Sequence, residues 1–301
     1  MKIIAFLSLS IILFSCKNSA EIKEVKTNSK LSVVTVNYPI YYFANRIGGN
    51  LIDLKYSIPK DVDPAFWIPN ETELQVYQSA DLIFTNGANY ARWIENVSLP
   101  SSRIVNTSLS FKSDFIKLKN KATHTHGPEG EHEHEGYAFT TWLDFKLALK
   151  QATSIKNSLV KKMPNEKQLL NENFENLKKD LELLDSKMIK EVSKLNEIQL
   201  IGSHPVYQYL SRAYNLKIES VHFEPNEIPT KNQWSELEKL INKSTNQLML
   251  WEDSPLPELK KKLQDSNIMV LVFNSCGNKP TDGDFLSVMN NNINNLFPPS
   301  N

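Results

Sequence analysis

The sequence predicts an α/β protein of two lobes, each on a mainly parallel sheet. One long rigid helix joins the lobes, and a ligand cleft lies between them. Three observations carry that expectation. Strand-like and helix-like segments alternate in two blocks, 31–163 and 196–301, and such alternation argues for parallel sheets. Between the blocks one apolar stripe runs along residues 164–195, with the spacing of a single helical face. Polar and titratable residues gather where the strands should end, and in parallel sheets ligands sit beyond those carboxyl ends.

Residues 1–15 address the chain before any fold begins. Lys2 precedes an apolar run over residues 3–14, twelve residues in all. At about 1.5 Å per residue the run reaches about 18 Å, short of the roughly 30 Å hydrocarbon core, so a cleaved signal fits better than a membrane span. Leu13-Phe14-Ser15-Cys16 resembles the bacterial lipobox, which implies that Cys16 is acylated and becomes the mature N-terminus. A core helix beginning at residue 1 is the alternative. Residues 16–30, rich in Lys, Glu, Ser and Asn, suit a flexible tether.

In the first block Leu31-Ser32-Val33-Val34-Thr35-Val36 reads as a buried strand. Pro39 opens the following helix and Gly48-Gly49 stops it. A second strand is expected over 51–58. Asn70-x-x-Glu73 resembles a capping box and opens a helix that runs to Ala80. Strands over 81–85 and 104–106 and a helix over 142–162 complete the block. In the connecting segment Leu170, Phe174, Leu177, Leu181, Leu184, Met188, Val192 and Leu195 step by four and three. Pro164 suits its start. Packed on both lobes, such a helix implies small domain movements; a short coiled coil is the other reading. The second block repeats the plan, with strands over 199–202, 217–221, 247–251 and 268–273 and helices near 205–214, 232–242, 256–265 and 284–296.

Composition removes several function classes. Lys+Arg and Asp+Glu both number 34, so the formal charge is zero and nothing supplies the basic excess that nucleic acid demands. None of the nine Gly forms G-x-G-x-x-G or a Walker loop. No G-x-S-x-G, H-E-x-x-H or catalytic carboxylate pair can be singled out, so a binding protein rather than an enzyme is expected. With Cys16 spent on lipid, Cys276 has no partner for an intramolecular disulfide, and stability must come from packed cores.

Four of the six His lie within 124–136, as His124-x-His126 and His132-x-His134 among Glu, Gly and Pro. The segment cannot build a core and should be a mobile surface loop. Imidazole with carboxylate is the donor set of borderline divalent ions such as zinc, so His124, His126, His132 and His134 form a candidate capture loop. A solvated loop without a role is the alternative. His204 and Cys276 fall at expected strand ends in the second lobe, with His222 and Glu252 nearby. Together they make a His/Cys/carboxylate set adequate for zinc or a softer ion. The alternatives are that His204 before Pro205 starts a helix, that Cys276 is an inert buried thiol, and that His222 and Glu224, among Glu and Pro, are solvated. Asp63 and Asp144 could cap loops rather than bind.

The order of motifs carries a resemblance over nearly the whole mature chain. It comprises the lipobox, Val36-Asn37-Tyr38-Pro39-Ile40-Tyr41-Tyr42, Asp61-Val62-Asp63-Pro64, Ala80-Asp81-Leu82-Ile83 with Asn86-Gly87, the His-rich loop and Trp142-Leu143-Asp144. The long helix and His204 followed by Tyr207-x-Tyr209-Leu210 complete it. Together these resemble zinc/manganese ABC-transporter substrate-binding proteins. The resemblance implies two α/β lobes on a rigid helix with metal bound between them. It also implies three histidines. His204 matches the third, while Ala65 and Thr140 stand where the first two are usual, and Asn274-Ser275-Cys276 where relatives often place an Asp.

The function it implies is a lipid-anchored receptor for an ABC importer of a divalent metal, foremost zinc, with manganese, copper and nickel open. Its partners would be the permease and its ATPase. The chain would be a monomer tethered in the bacterial cell envelope, facing periplasm or exterior. The alternative is a descendant whose interlobe site has degenerated, acting as a His-loop scavenger, an adhesin or a binder of another ligand.

Overall fold

The structure is a computed structural model that describes residues 30–118, 122–125, 131–134, 136–195, 198–241 and 246–296. Cys16 and His126 lie outside the described residues. So do the side chains of His124, His132 and His134.

The first sheet is built from β1 (Leu31–Thr35), β2 (Ile52–Lys55), β3 (Leu82–Thr85) and β4 (Ile104–Asn106) in the order β2-β1-β3-β4, all parallel. Val33 pairs with Leu54 on one side and Leu82 on the other. Both faces are covered, which is why Val33, Val34, Ile83 and Phe84 are fully buried rather than alternating. Helix α1 (Tyr38–Gly48) follows β1; its N-cap Asn37 accepts from the Ile40 amide, and Gly49 ends it at φ +48°. Helix α2 (Glu71–Ser79) opens with the reciprocal Asn70/Glu73 capping box. Strand β2 is shorter than the expected 51–58, because the chain leaves the sheet after Lys55 and carries Tyr56 across to the other lobe, where its hydroxyl donates to Asn278.

The His-rich segment differs from a plain loop. Strands β5 (Ala122–Thr125) and β6 (Glu131–His134) form an antiparallel hairpin with His124 opposite His132. Cross-strand hydrogen bonding organises this backbone without any apolar core.

Helices α3 (Phe145–Lys162) and α4 (Lys167–Val192) form an antiparallel pair, with the turn at Pro164–Glu166 between them. On α4 the stripe Leu170, Phe174, Leu177, Leu181, Leu184 and Met188 is buried. It packs against α1 and α3 in the first lobe and against α8 (Phe285–Asn295) in the second. Polar ties fix α4 at both ends: Asn173 donates to the Ile47 carbonyl, Arg46 pairs with Asp180 at 2.6 Å, and Lys187 donates to Asn290 at 2.7 Å. The stripe is therefore consumed inside the chain, against the coiled-coil reading.

The second sheet holds β7 (Gln199–Gly202), β8 (Ile218–Ser220), β9 (Gln247–Trp251) and β10 (Ile268–Val272) in the order β10-β9-β7-β8, again all parallel. Helices α5 (Gln208–Ala213), α6 (Lys231–Leu240) and α7 (Pro257–Asp265) connect its strands. One core cluster runs without a break from Val33 and Phe43 through Leu181 to Phe273 and Met289. The lobes thus share apolar contact. No helix among the described residues is long and apolar enough to cross a membrane.

Candidate functional site

Each sheet has one place where the strand order reverses, between β1 and β3 and between β7 and β9. Connections there leave in opposite directions and open a crevice at the carboxyl ends. Asn37 and Asn86 occupy the first crevice, and Ser203-His204 and Glu252 the second.

In the first lobe the crevice is closed by its own hydrogen bonds. Asn37 donates to Asn86 at 3.2 Å, Asn86 donates to the Phe139 carbonyl at 2.9 Å, and buried Gln151 donates to Asn86 at 3.1 Å. Such amides are already satisfied and act as scaffold. Above them lie aromatic rings: Tyr90 packs edge-on against Phe139 at 5.2 Å and Trp142 at 5.8 Å, and Phe66 against Phe139 at 6.4 Å. Ala65 is buried, and Thr140 is buried with its hydroxyl donating to the Val206 carbonyl across the lobe boundary at 2.5 Å. Asp63 and Asp144 both serve as caps. Asp63 accepts from the Ala65 amide, and Asp144 is the N-cap of α3, accepting from Lys146 and Leu147.

The second lobe supplies the chemistry. Gly202 ends β7 where a Cβ would lie 2.6 Å from the Ser220 hydroxyl and 3.1 Å from the His204 carbonyl, so a side chain there would have to displace Ser220 and crowd the turn into His204. The imidazole is held between two carboxylates. Its Nε2 lies 3.5 Å from Glu224 Oε1 and its Nδ1 3.7 Å from Glu252 Oε2. His222 meets the same ring edge-on, with centroids 5.8 Å apart. The His204 side chain is 12% exposed, against 29% for Glu224 and 31% for Glu252, so the group opens to solvent through its carboxylates.

Burial and the neighbouring charges of Asp63 and Glu224 push Glu252 up to about 7, although Ser275 Oγ donates to it at 2.8 Å. Burial pushes His222 down and favours its neutral, ligating form.

The structure brings His204, His222 and Glu252 together and adds Glu224. Cys276 is not brought into that group. Its amide is tied to Asn274 Oδ1, its backbone is left-handed at φ +57°, and its charge partners are Tyr38, Tyr56 and Asp284. Burial first, and then Asp284, push the thiol far above its ordinary range, the opposite of what a thiolate ligand needs. Among the described residues, no three His, Cys, Asp or Glu side chains form a group that could hold a metal ion as they stand. Geometry explains this: the two carboxylates flank opposite nitrogens of one ring, and one ion cannot take both edges. The donor pair a single ion could take is His204 Nε2 with Glu224, leaving Glu252 to orient the ring through Nδ1, as outer carboxylates do for ligating histidines. The sequence already sets Glu224 beside His222, but among Glu and Pro such residues are more often solvated than ligating; Ser275 it marks only by a place in the strand-end triplet Asn274-Ser275-Cys276.

Comparison with known proteins shows the family and the fold. Residues 33–297 match the family model described as zinc-uptake complex component A, periplasmic. The chain is 23% identical over 295 residues to the zinc-binding lipoprotein AdcA of Streptococcus pneumoniae, covering 94% of this chain but only 58% of that one. It is 26% identical over 313 residues to the manganese ABC transporter substrate-binding lipoprotein PsaA of Streptococcus anginosus, covering 98% and 96%. Among solved structures, the metal-dependent lipoprotein YcdH of Bacillus subtilis matches with a TM-score of 0.75 at 21% identity, over 88% of this chain and 97% of that one. The last likeness is one of fold.

Proposed function

The chain belongs to the periplasmic zinc-uptake complex component A family, and on that premise we propose that it is a lipid-anchored receptor that delivers a divalent metal to an ABC permease and its ATPase. Zinc is the first candidate cargo, with manganese, copper and nickel behind it. The observation that carries the reading is His204, set between Glu224 and Glu252 at the carboxyl ends of the strands flanking the switch point. Neutral imidazole with carboxylate suits zinc. His204 Nε2 and Glu224 would bind the cargo and Glu252 would orient the ring. His222, held toward its neutral form with its ring centroid 5.8 Å from that of His204, would offer a further nitrogen. Acylated Cys16 would hold the protein in the cell envelope, and His124, His126, His132 and His134 would raise the local metal concentration.

Metal titration by calorimetry, with and without residues 124–136, tests this. The loop-deleted chain should bind zinc with micromolar or tighter affinity. His204→Ala should weaken it by about a hundredfold, at or beyond the upper end of what even outer-shell changes cost. Cys276→Ser should leave it unchanged. The reading is wrong if the loop-deleted chain binds none of the four metals below micromolar. Ala65 and Thr140 favour a second reading, a relative whose interlobe site has degenerated and which scavenges metal with the His loop, adheres to a surface or binds another ligand. Its signature is metal binding that vanishes with the loop and ignores His204→Ala.

A further inference from the structure

The loop after β10, residues 274–278, belongs to the second sheet but is sewn to the first lobe at Ser275, Gly277 and Asn278. The Ser275 carbonyl accepts from Trp142 Nε1 at 2.7 Å, and the Gly277 carbonyl accepts from the Tyr38 amide at 3.0 Å. At its end stands Asn278, whose side-chain amide is fully used. Its Oδ1 accepts from the Tyr56 hydroxyl at 2.8 Å and from the Lys279 amide at 2.7 Å. Its Nδ2 donates to the carbonyls of Pro59, Lys60 and Val62 at 2.7, 3.2 and 2.8 Å. Two donor hydrogens and two acceptor lone pairs thus serve five partners, four of them in the first lobe. The Lys279 amide can only donate and the three carbonyls can only accept, which fixes the side-chain amide with its oxygen toward Lys279 and Tyr56 and its nitrogen toward the carbonyls.

The segment so gripped is the one that leads into the site. Residues 59–62 run directly into Asp63, whose charge acts on Glu252, while Ser275 on the gripping loop donates to that same Glu252. One short loop therefore holds the first-lobe segment with its last residue and the second-lobe carboxylate with its second.

We propose that Asn278 is a positioning residue: a clasp that holds the 59–63 segment closed over the His204–Glu252 group and so sets how long a bound metal stays. The inference rests on the metal-receptor reading above. Parting the two lobes' loops widens the exit from the group, and opening here means giving up the contacts of Asn278 Nδ2, whose two hydrogens are shared among three carbonyls. Loop opening of this kind governs release in many closed sites. The clasp acts on the exit step, so it should change dissociation far more than association.

Asn278→Asp is nearly isosteric but replaces the donor nitrogen by an acceptor facing three carbonyls. Zinc-loaded full-length chain is mixed with excess chromogenic chelator in a stopped-flow instrument, and amide hydrogen exchange is followed in the metal-free chain. Asn278→Asp should release zinc about tenfold faster or more, the scale of one to two net hydrogen bonds, with little change in the association rate. The Val62, Phe66 and Trp67 amides should exchange faster while β1 and β7 stay protected. Tyr56→Phe, which removes one of the two bonds to the Asn278 oxygen, should shift both readouts the same way by less, and it decides the matter if Asn278→Asp does not fold. Unchanged zinc release from variants of a tightly binding parent overturns the clasp. Exchange that rises evenly through both sheets also overturns it, because that marks a general loss of stability. A parent chain that holds no zinc instead overturns the receptor reading beneath, and the residence-time claim with it.

Discussion

Glu252 shows how one residue can couple acidity, stability and cargo. Its carboxyl is pushed up to about 7 from 4.5 by burial and by the charges of Asp63 and Glu224. Between those values the folded chain holds a proton that the unfolded chain has released, so stability falls as pH rises across the window. The penalty is complete above about 7. His222, pushed below its ordinary 6.5, works the other way and costs stability as pH falls through that range. Thermal unfolding of the metal-free chain followed from about pH 5 to about pH 8 should show the Glu252 slope. Glu252→Gln should remove it, with the opposing His222 contribution remaining. An unchanged slope in Glu252→Gln would mean that this carboxyl is already ionised at pH 5. Cargo binding has the opposite sign, since a ligating or orienting carboxylate must be charged, so affinity should drop below about 7. Cys276, 1% exposed with its thiol pushed up, should resist alkylation in the folded chain and react only on unfolding. Residue types and their strand-end positions made His204, His222 and Glu252 legible from sequence. For Cys276 the sequence left ligand and inert buried thiol both open, because a left-handed residue inside a loop leaves no periodic signal.

At the scale of elements, periodicity did most of the work. The stripe on α4 reads directly from the spacing of Leu170 to Met188, and the same residues are buried in the fold. Leu177 is fully buried, so Leu177→Ala should cost about 2–5 kcal/mol in denaturant unfolding. Leu183, 54% exposed on the opposite side, should cost within about 0.5 kcal/mol when changed to Ala. Equal effects at the two positions would mean that α4 does not bury the stripe described. Capping was equally local: Asn70 and Glu73 bond reciprocally as their spacing suggests. Two elements escaped. Strand β2 stops at Lys55 because Tyr56 has a partner in the distant lobe, and the His-rich segment pairs as a hairpin although no apolar alternation announces it.

For the whole molecule, the question is how far the lobes can move. Helix α4 packs on elements of both lobes, one apolar core runs through them, and Thr140, Trp142, Tyr38 and Tyr56 each hydrogen-bond across the boundary. Metal loading should therefore leave the radius of gyration from X-ray scattering essentially unchanged. A wide-open metal-free state would contradict the single shared core. The sequence by itself determined the two parallel α/β lobes and the connecting helix. Those follow from local spacing and turn signals, all written along the chain. Only the tertiary structure decided which donors meet. It set His204 between Glu224 and Glu252, moved Cys276 to the tyrosine side, and put Asn278 on the 59–62 carbonyls. Such meetings depend on loop paths between residues far apart in sequence, and no short-range pattern encodes them.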